Sequence, residues 1–229
     1  MILAGGKGRR LRPYTKVLPK PLLPVGDIPI IEVLLRQLSK AGIKEIIMAV
    51  GHQAELIKVV IGDGRQYHLK IRYSAEKKPL GTAAPLKRID NLDEDFLVLN
   101  GDLLTDLSFR DFIKAHLHGS SPATIAAFKR SVNVDFGVIT AEGNIIKKYQ
   151  EKPTHRYLVS MGIYAFRRDI IKFIPSGKFD FPQLVKKLIA RGENPTIFPY
   201  NGRWFDIGRP ADWEEADKIF QKKPGLFLR

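Results

Sequence analysis

The chain has 229 residues, of which 44% are hydrophobic, and its formal net charge is +14. This length and composition support one sizeable apolar core, so we expect a single domain over residues 1–229. No run of about 18 apolar residues occurs, so we expect no membrane span. Cysteine is absent, which excludes disulfides, thiolate metal sites and cysteine nucleophiles, and we expect a cytoplasmic protein.

The positive charge is distributed along the whole chain. No motif combines the basic residues with aromatic residues in the manner of nucleic-acid-binding motifs. We therefore expect no nucleic-acid partner and no membrane partner. A solvated basic surface that attracts anionic substrates explains the charge better.

Residues 2–4 form a short apolar run that leads into a glycine-rich basic loop. Gly5, Gly6 and Gly8 are close together, and no acidic residue precedes Asp27. Glycine lets the backbone approach a bulky anion with its N–H groups directed at the anion. Six cationic residues lie in this segment: Lys7, Arg9, Arg10, Arg12, Lys16 and Lys20. The segment predicts a site for a highly charged anion such as a nucleoside triphosphate.

Two common phosphate-binding loops do not fit this segment. The Walker pattern requires serine or threonine after its lysine, whereas Gly8 follows Lys7. The dinucleotide-binding pattern requires a helix directly after the glycines. A long helix is excluded before about residue 29 by four prolines: Pro13, Pro19, Pro21 and Pro24. We therefore expect a long, stiff loop that leaves a strand.

The rest of the first half alternates strand and helix patterns, which is typical of a parallel sheet with helices on both faces. The patterns predict helices over 30–38, 54–60 and 82–89, and strands over 45–50, 71–74 and 96–99. The second half predicts strands over 124–128, 136–140, 145–149 and 158–166, and helices over 181–190 and 210–220. The expected fold class is α/β, a Rossmann-like three-layer fold with a mostly parallel mixed sheet.

Three candidate functional segments follow predicted strands: the glycine loop, residues 81–83, and Asp102. Ligands of open α/β sheets bind at the carboxyl ends of strands, so these segments should meet at one rim. Asp206 is flanked by apolar residues, which argues against a merely solvated carboxylate. Because two carboxylates and substrate phosphates suit octahedral Mg²⁺, we expect Asp102 and Asp206 to be metal ligands. Asp106 is expected to cap a helix near Phe109.

The opening segment resembles the signature of the sugar-1-phosphate nucleotidyltransferases. Further motifs along nearly the whole chain match the same family: Pro79-Leu80-Gly81-Thr82-Ala83, Asn100-Gly101-Asp102, Phe136-Gly137-Val138, Glu151-Lys152-Pro153, Gly162-Ile163-Tyr164 and Trp204-Phe205-Asp206-Ile207-Gly208. The resemblance implies a Mg²⁺-dependent enzyme that makes an NDP-sugar and pyrophosphate from an NTP and a sugar 1-phosphate. It suggests a guanylyltransferase-like member acting on mannose, heptose or glucosamine 1-phosphate. The family often adds a carboxyl-terminal β-helix domain, but since this sequence ends at Arg229, soon after the last predicted helix, we expect one nucleotidyltransferase domain and no β-helix domain.

The same resemblance implies roles for individual residues. The residues implied in nucleotide binding are Leu3, Ala4, Gly5, Gly6, Gly8, Arg10, Glu76, Gly81 and Thr82. Those implied in sugar-phosphate binding are Asp102, Gly137, Glu151, Lys152, Ser160 and Gly162. The implied catalytic residues are Arg10, Lys20, Asp102 and Asp206, of which the two aspartates hold Mg²⁺.

Three features depart from the family pattern. Arg9 stands where threonine is usual, so that Arg10 takes the position of the signature arginine. Ser160 and Met161 replace a usual Asn-Ala pair whose asparagine binds sugar hydroxyls. The first strand, over residues 1–4, is several residues shorter than usual.

The expected chemistry needs no general base, because a sugar 1-phosphate is already an anion at neutral pH. Catalysis then consists of in-line positioning and neutralisation of the charge on the departing pyrophosphate. Arg10 is expected to hold the β- and γ-phosphates, and Lys20 to bridge the α-phosphate and the sugar phosphate. Lys152 is expected to bind the sugar phosphate and Glu151 the sugar hydroxyls.

Base preference depends on Glu76, where many relatives carry glutamine. A carboxylate accepts hydrogen bonds from the adjacent N1–H and amino groups of guanine, which favours GTP. The same reaction with dTTP or UTP remains an alternative. An exposed Glu76 paired with Lys77 or Lys78 is a further alternative that carries no base preference.

Two other functions fit parts of the sequence. A nucleotide-sugar glycosyltransferase normally carries an Asp-x-Asp pair, whereas Asp102 and Asp106 are four positions apart. A catalytically inactive nucleotide-sugar sensor is opposed by the four intact catalytic residues. The sequence leaves open whether the protein forms a homo-oligomer. Four apolar residues suggest a contact patch between copies: Phe220, Leu226, Phe227 and Leu228.

Overall fold

The protein is described here by a computed structural model that covers residues 1–75 and 80–228. Its strands are β1 (Ile2–Ala4), β2 (Pro24–Val25), β3 (Ile28–Pro29), β4 (Glu45–Val50), β5 (Lys70–Ala75), β6 (Asp95–Asn100), β7 (Leu103–Thr105), β8 (Ala123–Asn133), β9 (Val138–Glu142), β10 (Ile145–Gln150), β11 (Thr154–Arg167), β12 (Thr196–Tyr200) and β13 (Trp204–Asp206). Its helices are α1 (Ile30–Lys40), α2 (Ala54–Ile61), α3 (Phe109–His118), α4 (Phe181–Ala190) and α5 (Pro210–Lys222). None of the helices in these ranges has the length and apolar character needed to cross a membrane.

Seven strands form the central sheet in the order β12-β8-β11-β6-β1-β4-β5. β1 lies between β6 and β4 and runs parallel to both, and β5 continues this parallel half. β11 is antiparallel to both β6 and β8. The expected mostly parallel mixed sheet is confirmed. Because β1 and β6 are parallel neighbours, the glycine loop and Asp102 leave the sheet at the same rim.

Helices cover both faces of the sheet, because alternate residues of a strand point to opposite sides. Ile2 and Ala4 belong to the core cluster that contains α1, together with Phe112 of α3. Leu3 packs against the opposite cluster, which contains Phe181 of α4. Burying each large apolar side chain contributes on the order of 1.5–3 kcal/mol. The two layers of helices therefore hold the carboxyl ends of β1 and β6 in fixed positions.

A third core cluster joins the basic loop to α5. It contains Leu11 and Leu23 of the loop together with Phe220 and Phe227, whose exposed fractions are 5% and 0%. The expected contact patch at the end of the chain is therefore wrong for these two aromatic residues. They face inward because the loop presents its own apolar side chains to α5.

Gly101 allows β6 to end in close contact with β1. Its N–H donates to the Leu3 carbonyl at 2.9 Å, and a Cβ at this position would lie 2.9 Å from the same oxygen. We expect Gly101→Ala to lower the free energy of unfolding by about 1–3 kcal/mol, because the backbone at the rim must shift. Urea denaturation measures this change.

The matched control for Gly101→Ala is Gly225→Ala. Apart from its two chain neighbours, a Cβ at Gly225 meets no atom of the described residues within 4 Å. Its free energy of unfolding should change by less than about 0.5 kcal/mol. Equal stability of the two variants would contradict the close approach of the strands at Gly101.

Candidate active site

A short antiparallel ladder brings Asp102 and Asp206 together. β7 begins directly after Asp102, and β13 ends on Asp206. Leu103 pairs with Asp206 in this ladder, and the N–H of Ile207 donates to the Asp102 carbonyl at 3.2 Å. Two carboxylates from opposite halves of the chain thus reach one point at the rim of the sheet, as the sequence predicted.

Lys20 lies between these two carboxylates. Its ammonium donates a hydrogen bond to Asp102 Oδ2 and is 3.7 Å from Asp206 Oδ1. A 3-10 turn over Lys20–Leu22 fixes the backbone, with the N–H of Leu22 donating to the Pro19 carbonyl at 2.8 Å. Only 12% of the Lys20 side chain is exposed, so its charge interacts with the carboxylates through a medium of lower dielectric than water.

The carboxyl group of Asp102 is both desolvated and incompletely paired. Burial raises its pKa, and the neighbouring Lys20 ammonium opposes that shift. Asp102 Oδ1 is buried and has no hydrogen-bond partner among the described residues. An unpaired buried acceptor costs about 1–3 kcal/mol, so this oxygen is available to a cation.

The donor set of Asp102 and Asp206 fits a divalent cation that prefers oxygen ligands. In the described part of the chain, no cluster of three or more histidine, aspartate or glutamate side chains is arranged to hold a metal. The two carboxylates therefore leave coordination positions for water and phosphate oxygens, which is the way Mg²⁺ is usually bound. The fit rests on the unpaired Asp102 oxygen and on the 48% exposure of the Asp206 side chain.

The glycine loop keeps its N–H groups free. Gly5, Gly6 and Gly8 donate no backbone hydrogen bond to an acceptor within residues 1–75 and 80–228. Gly8 has φ of +56°, and a Cβ there would lie 2.7 Å from Thr15 Cγ2. The hydroxyl of Thr15 donates to the Gly8 carbonyl at 2.7 Å. Thr15 thereby fixes the conformation of the loop. The sequence analysis did not assign this role, although Thr15 is buried within a mostly polar segment.

Arg10 lies against the backbone that follows β13. A methyl group on Gly208 would be 3.2 Å from Arg10 Nη2. Arg10 forms no ion pair within the described residues. It lines a cleft of about 470 Å³ that also includes Asp206 and Arg130. The guanidinium is therefore an unpaired cation beside the candidate metal ligands.

The basic loop is fastened to two helices that are remote in sequence. The side chain of Gln53, next to α2, donates to two carbonyls of the loop at 3.2 Å. Trp213 of α5 donates to the Pro24 carbonyl at 2.6 Å, and its ring meets Tyr14 with 5.0 Å between centroids. Asp217 accepts from a loop N–H at 2.6 Å. These contacts hold a loop that has no long helix or strand of its own.

The expected base-binding residues Gly81 and Thr82 are positioned by the start of α4. The N–H of Thr82 donates to Asp180 Oδ1 at 2.8 Å, and its hydroxyl accepts from the N–H of Phe181 at 2.9 Å. Gly81 has φ of +89°, in the left-handed region that favours glycine. The segment is thus held rigidly near the sheet.

The same segment shares a core cluster with the first strand. Leu80 and Leu3 both pack against the cluster that contains Phe181 of α4. Glu76, the residue on which the base preference depends, lies outside the described residues.

The expected sugar-phosphate residues fall into two groups. In the first, Ser160 Oγ accepts from the Gly162 N–H at 3.4 Å. Gly162 has φ of +74° and packs against the side chain of Asn100, at the end of the strand that leads to Asp102. This group is therefore adjacent to the candidate metal ligands.

The second group lies at the β9–β10 hairpin. The hydroxyl of Tyr149 donates to Glu151 Oε2 at 2.8 Å, and Gly137 packs against the same hydroxyl. Lys152 follows with φ of +43°. Within the described residues, no hydrogen bond or ion pair connects this group to Asp102.

Asp106 is not a helix cap, contrary to the sequence prediction. Ser108 caps α3 by accepting from the Asp111 N–H. Asp106 instead accepts from the Tyr200 hydroxyl and from the Arg203 N–H, the latter at 2.6 Å. It takes this role because β7 and β13 pair beside it, and it fastens the ladder that carries the two candidate metal ligands.

Comparison with known proteins gives consistent matches over nearly the whole chain. Residues 1–223 match the family model described as Nucleotidyl transferase. The UTP–glucose-1-phosphate uridylyltransferase of Synechocystis sp. is 35% identical over 94% of this chain and 61% of its own length. The mannose-1-phosphate guanyltransferase of Yarrowia lipolytica is 35% identical over 93% of this chain and 61% of its own length. This chain thus spans about three-fifths of the length of these two relatives.

A solved structure shares the fold over almost its entire length. The crystal structure of HddC from Yersinia pseudotuberculosis complexed with GMP-PN has a TM-score of 0.70 at 25% identity. The match covers 96% of this chain and 97% of that chain. The α/β sheet with helices on both faces is therefore common to both proteins.

Proposed function

Since this chain belongs to the nucleotidyl transferase family, we propose that it transfers a nucleotidyl group from a nucleoside triphosphate to a sugar 1-phosphate and releases pyrophosphate. The observation that carries the proposal is the placement of Lys20 between Asp102 and Asp206, beside a glycine loop with free N–H groups. This arrangement suits a substrate with several phosphates that binds together with a divalent cation.

The residues of the chain act on the phosphates in distinct ways. The N–H groups of Gly5, Gly6 and Gly8 point at the triphosphate, and the Arg10 guanidinium neutralises the departing pyrophosphate. The Lys20 ammonium holds the α-phosphate against the incoming sugar phosphate, which favours in-line attack. Mg²⁺ held by Asp102 and Asp206 would supply Lewis-acid polarisation of the phosphoryl oxygens.

In this proposal, the sugar phosphate binds beside Asp102, where Ser160 and Gly162 lie. Ser160 and Gly162 are adjacent to Asn100 and therefore to Asp102. Glu151 and Lys152 follow the exposed β9–β10 hairpin, and in this proposal Glu151 binds the sugar hydroxyls and Lys152 the sugar phosphate. Gly137 contributes its backbone to the same side.

Release of pyrophosphate tests this function. The assay combines GTP, dTTP, UTP, CTP and ATP with mannose, glucose, glucosamine, N-acetylglucosamine and heptose 1-phosphates in the presence of Mg²⁺. The proposal requires release that depends on both substrates. Binding of a nucleotide sugar without turnover would instead support a sensor, and turnover only with a nucleotide sugar and an acceptor would support a glycosyltransferase.

We propose GTP as the favoured nucleotide. The mannose-1-phosphate guanyltransferase relative and the HddC structure with GMP-PN support a guanine base. The uridylyltransferase relative supports UTP as the second candidate. Direct comparison of kcat/KM for GTP and UTP distinguishes the two.

Glu76→Gln should lower the ratio of kcat/KM for GTP to that for UTP by about tenfold, because a specific pair of hydrogen bonds to a base is worth about 1–3 kcal/mol. Glutamine retains one acceptor and gains a donor, which suits uracil better than guanine. Glu55→Gln is the control, since Glu55 is 83% exposed on α2. An unchanged ratio in Glu76→Gln would remove this residue from base recognition.

A further inference from the structure

We propose that Lys20 is an internal counter-ion that excludes a divalent cation from Asp102 and Asp206 until a phosphate group draws its ammonium away. This inference deepens the proposed function, on which it rests for the identity of the phosphate. It concerns the order in which metal and nucleotide bind, and it assigns Lys20 a role before the substrates arrive.

The first step is the position of the Lys20 charge. The ammonium bonds Asp102 Oδ2 and is 3.7 Å from Asp206 Oδ1. The side chains of Lys20 and Asp102 are only 12% and 21% exposed. The ammonium therefore occupies the space between the two carboxylates that a shared metal ion would also use.

The second step is the charge balance. Lys20 supplies one positive charge against the two negative charges of Asp102 and Asp206, and Asp102 Oδ1 remains buried without a partner in the part of the chain that the structure describes. The carboxylate pair is thus stabilised without a metal, but incompletely. A divalent cation that enters beside the ammonium meets strong repulsion, because water screens charges poorly at such a site.

The third step is the mobility of the side chain relative to its backbone. The turn over Lys20–Leu22 fixes the Cα atom of Lys20 next to Pro19 and Pro21. The four-carbon side chain can nevertheless swing its ammonium to a new acceptor by rotation about its own bonds. Release of the carboxylates therefore needs no movement of the loop.

Binding of a phosphate removes the repulsion between the ammonium and the cation and lets the cation pair with the two carboxylates. A phosphate oxygen accepts from the Lys20 ammonium, and other phosphate oxygens complete the coordination of the metal. Binding of metal and binding of phosphate are therefore mutually dependent, and the coupling is equal in both directions. Metal alone binds weakly, and metal with a phosphate binds as a unit.

The test is a titration of the protein with Mn²⁺, with free Mn²⁺ measured by electron paramagnetic resonance and no nucleotide present. We expect Lys20→Met to bind Mn²⁺ at least about tenfold more tightly than the unaltered protein, because the competing ammonium is gone. Lys20→Arg keeps the charge and should bind as weakly as the unaltered protein. Lys16→Met is the matched control, since Lys16 is an exposed cation of the same loop.

The Mn²⁺ affinities of these variants decide whether the proposal holds. Equal or weaker Mn²⁺ binding by Lys20→Met, or an equal gain in Lys16→Met, would overturn the proposal. Circular dichroism establishes that Lys20→Met is folded. The double variant Lys20→Met/Asp206→Asn should lose the gain, which locates the bound Mn²⁺ at the two aspartates.

A second measurement uses only the unaltered protein. Inorganic phosphate should tighten its Mn²⁺ binding several-fold, after correction for Mn²⁺ bound by phosphate in solution, because phosphate takes the Lys20 ammonium. No effect of phosphate would also overturn the proposal. None of these titrations depends on turnover, so absence of transferase activity with the expected Mn²⁺ behaviour would reject the proposed function and leave the counter-ion role standing.

Discussion

Asp102→Asn should reduce the rate of pyrophosphate release by at least about a thousandfold, which corresponds to a loss of about 4 kcal/mol of transition-state stabilisation. The substitution keeps the size of the side chain and removes the charge. The buried oxygen that has no partner among residues 1–75 and 80–228 becomes part of a neutral amide, a poor ligand for Mg²⁺. Lys20 also loses its hydrogen-bonded counter-ion.

Two measurements isolate the effect of the Asp102 charge. Thermal denaturation should find Asp102→Asn folded, since Asp206 still pairs with Lys20 across 3.7 Å. Asp169→Asn, which removes an exposed carboxylate that pairs with Lys172, should leave the rate within about twofold of the unaltered enzyme. If Asp102→Asn retained more than a tenth of the rate of pyrophosphate release, the assignment of Asp102 as a metal ligand would be wrong.

Arg10→Ala should lower kcat by about 100- to 1000-fold with a smaller change in KM, because its guanidinium acts on charge that develops as pyrophosphate departs. The structure places this guanidinium against Gly208 without an ion pair among the described residues, so its charge is not already neutralised. Arg10→Lys should recover only part of the loss, since the ammonium lacks the planar pair of donors that a phosphate engages.

Arg9→Ala is the matched control for Arg10, since both side chains belong to the turn Arg9–Leu11. We expect its kcat to fall by less than about tenfold, through weaker general attraction of the anion. A larger loss in Arg9→Ala than in Arg10→Ala would mean that the catalytic arginine of this loop is Arg9 and that the alignment with the family signature is shifted by one residue.

The parts of the fold that could be predicted from the sequence are those set by local pattern. Four prolines delay the first helix to Ile30, and the apolar runs give β4 and α4 with the observed bounds. The predicted helix over 82–89 is a shorter 3-10 helix at Ala84–Arg88. β12 was missed, since Pro199 interrupts its pattern and only its parallel pairing with β8 makes it a strand.

The candidate site was predictable where the topology of the sheet determines it. Asp102 follows a buried strand, and the parallel order of β6 and β1 brings it to the glycine loop. The role of Asp106 was not predictable, because it depends on Tyr200 and Arg203, which reach it only after β7 and β13 have paired. The burial of Phe220, which the suggested contact patch did not anticipate, was not predictable for the same reason, since several residues of its cluster lie in the first part of the chain.

The attachment of the basic loop to α5 has a consequence for the order in which parts of this protein become rigid during synthesis. Trp213 and Asp217 hold Pro24 and Gly26 across 189 and 191 positions of the chain. On the ribosome, the basic loop is made well before α5, yet its final contacts are available only when α5 has emerged. Such distant contacts form slowly because a long loop must close before they stabilise anything. The basic loop therefore becomes rigid only after α5 has emerged, long after its own residues have been translated.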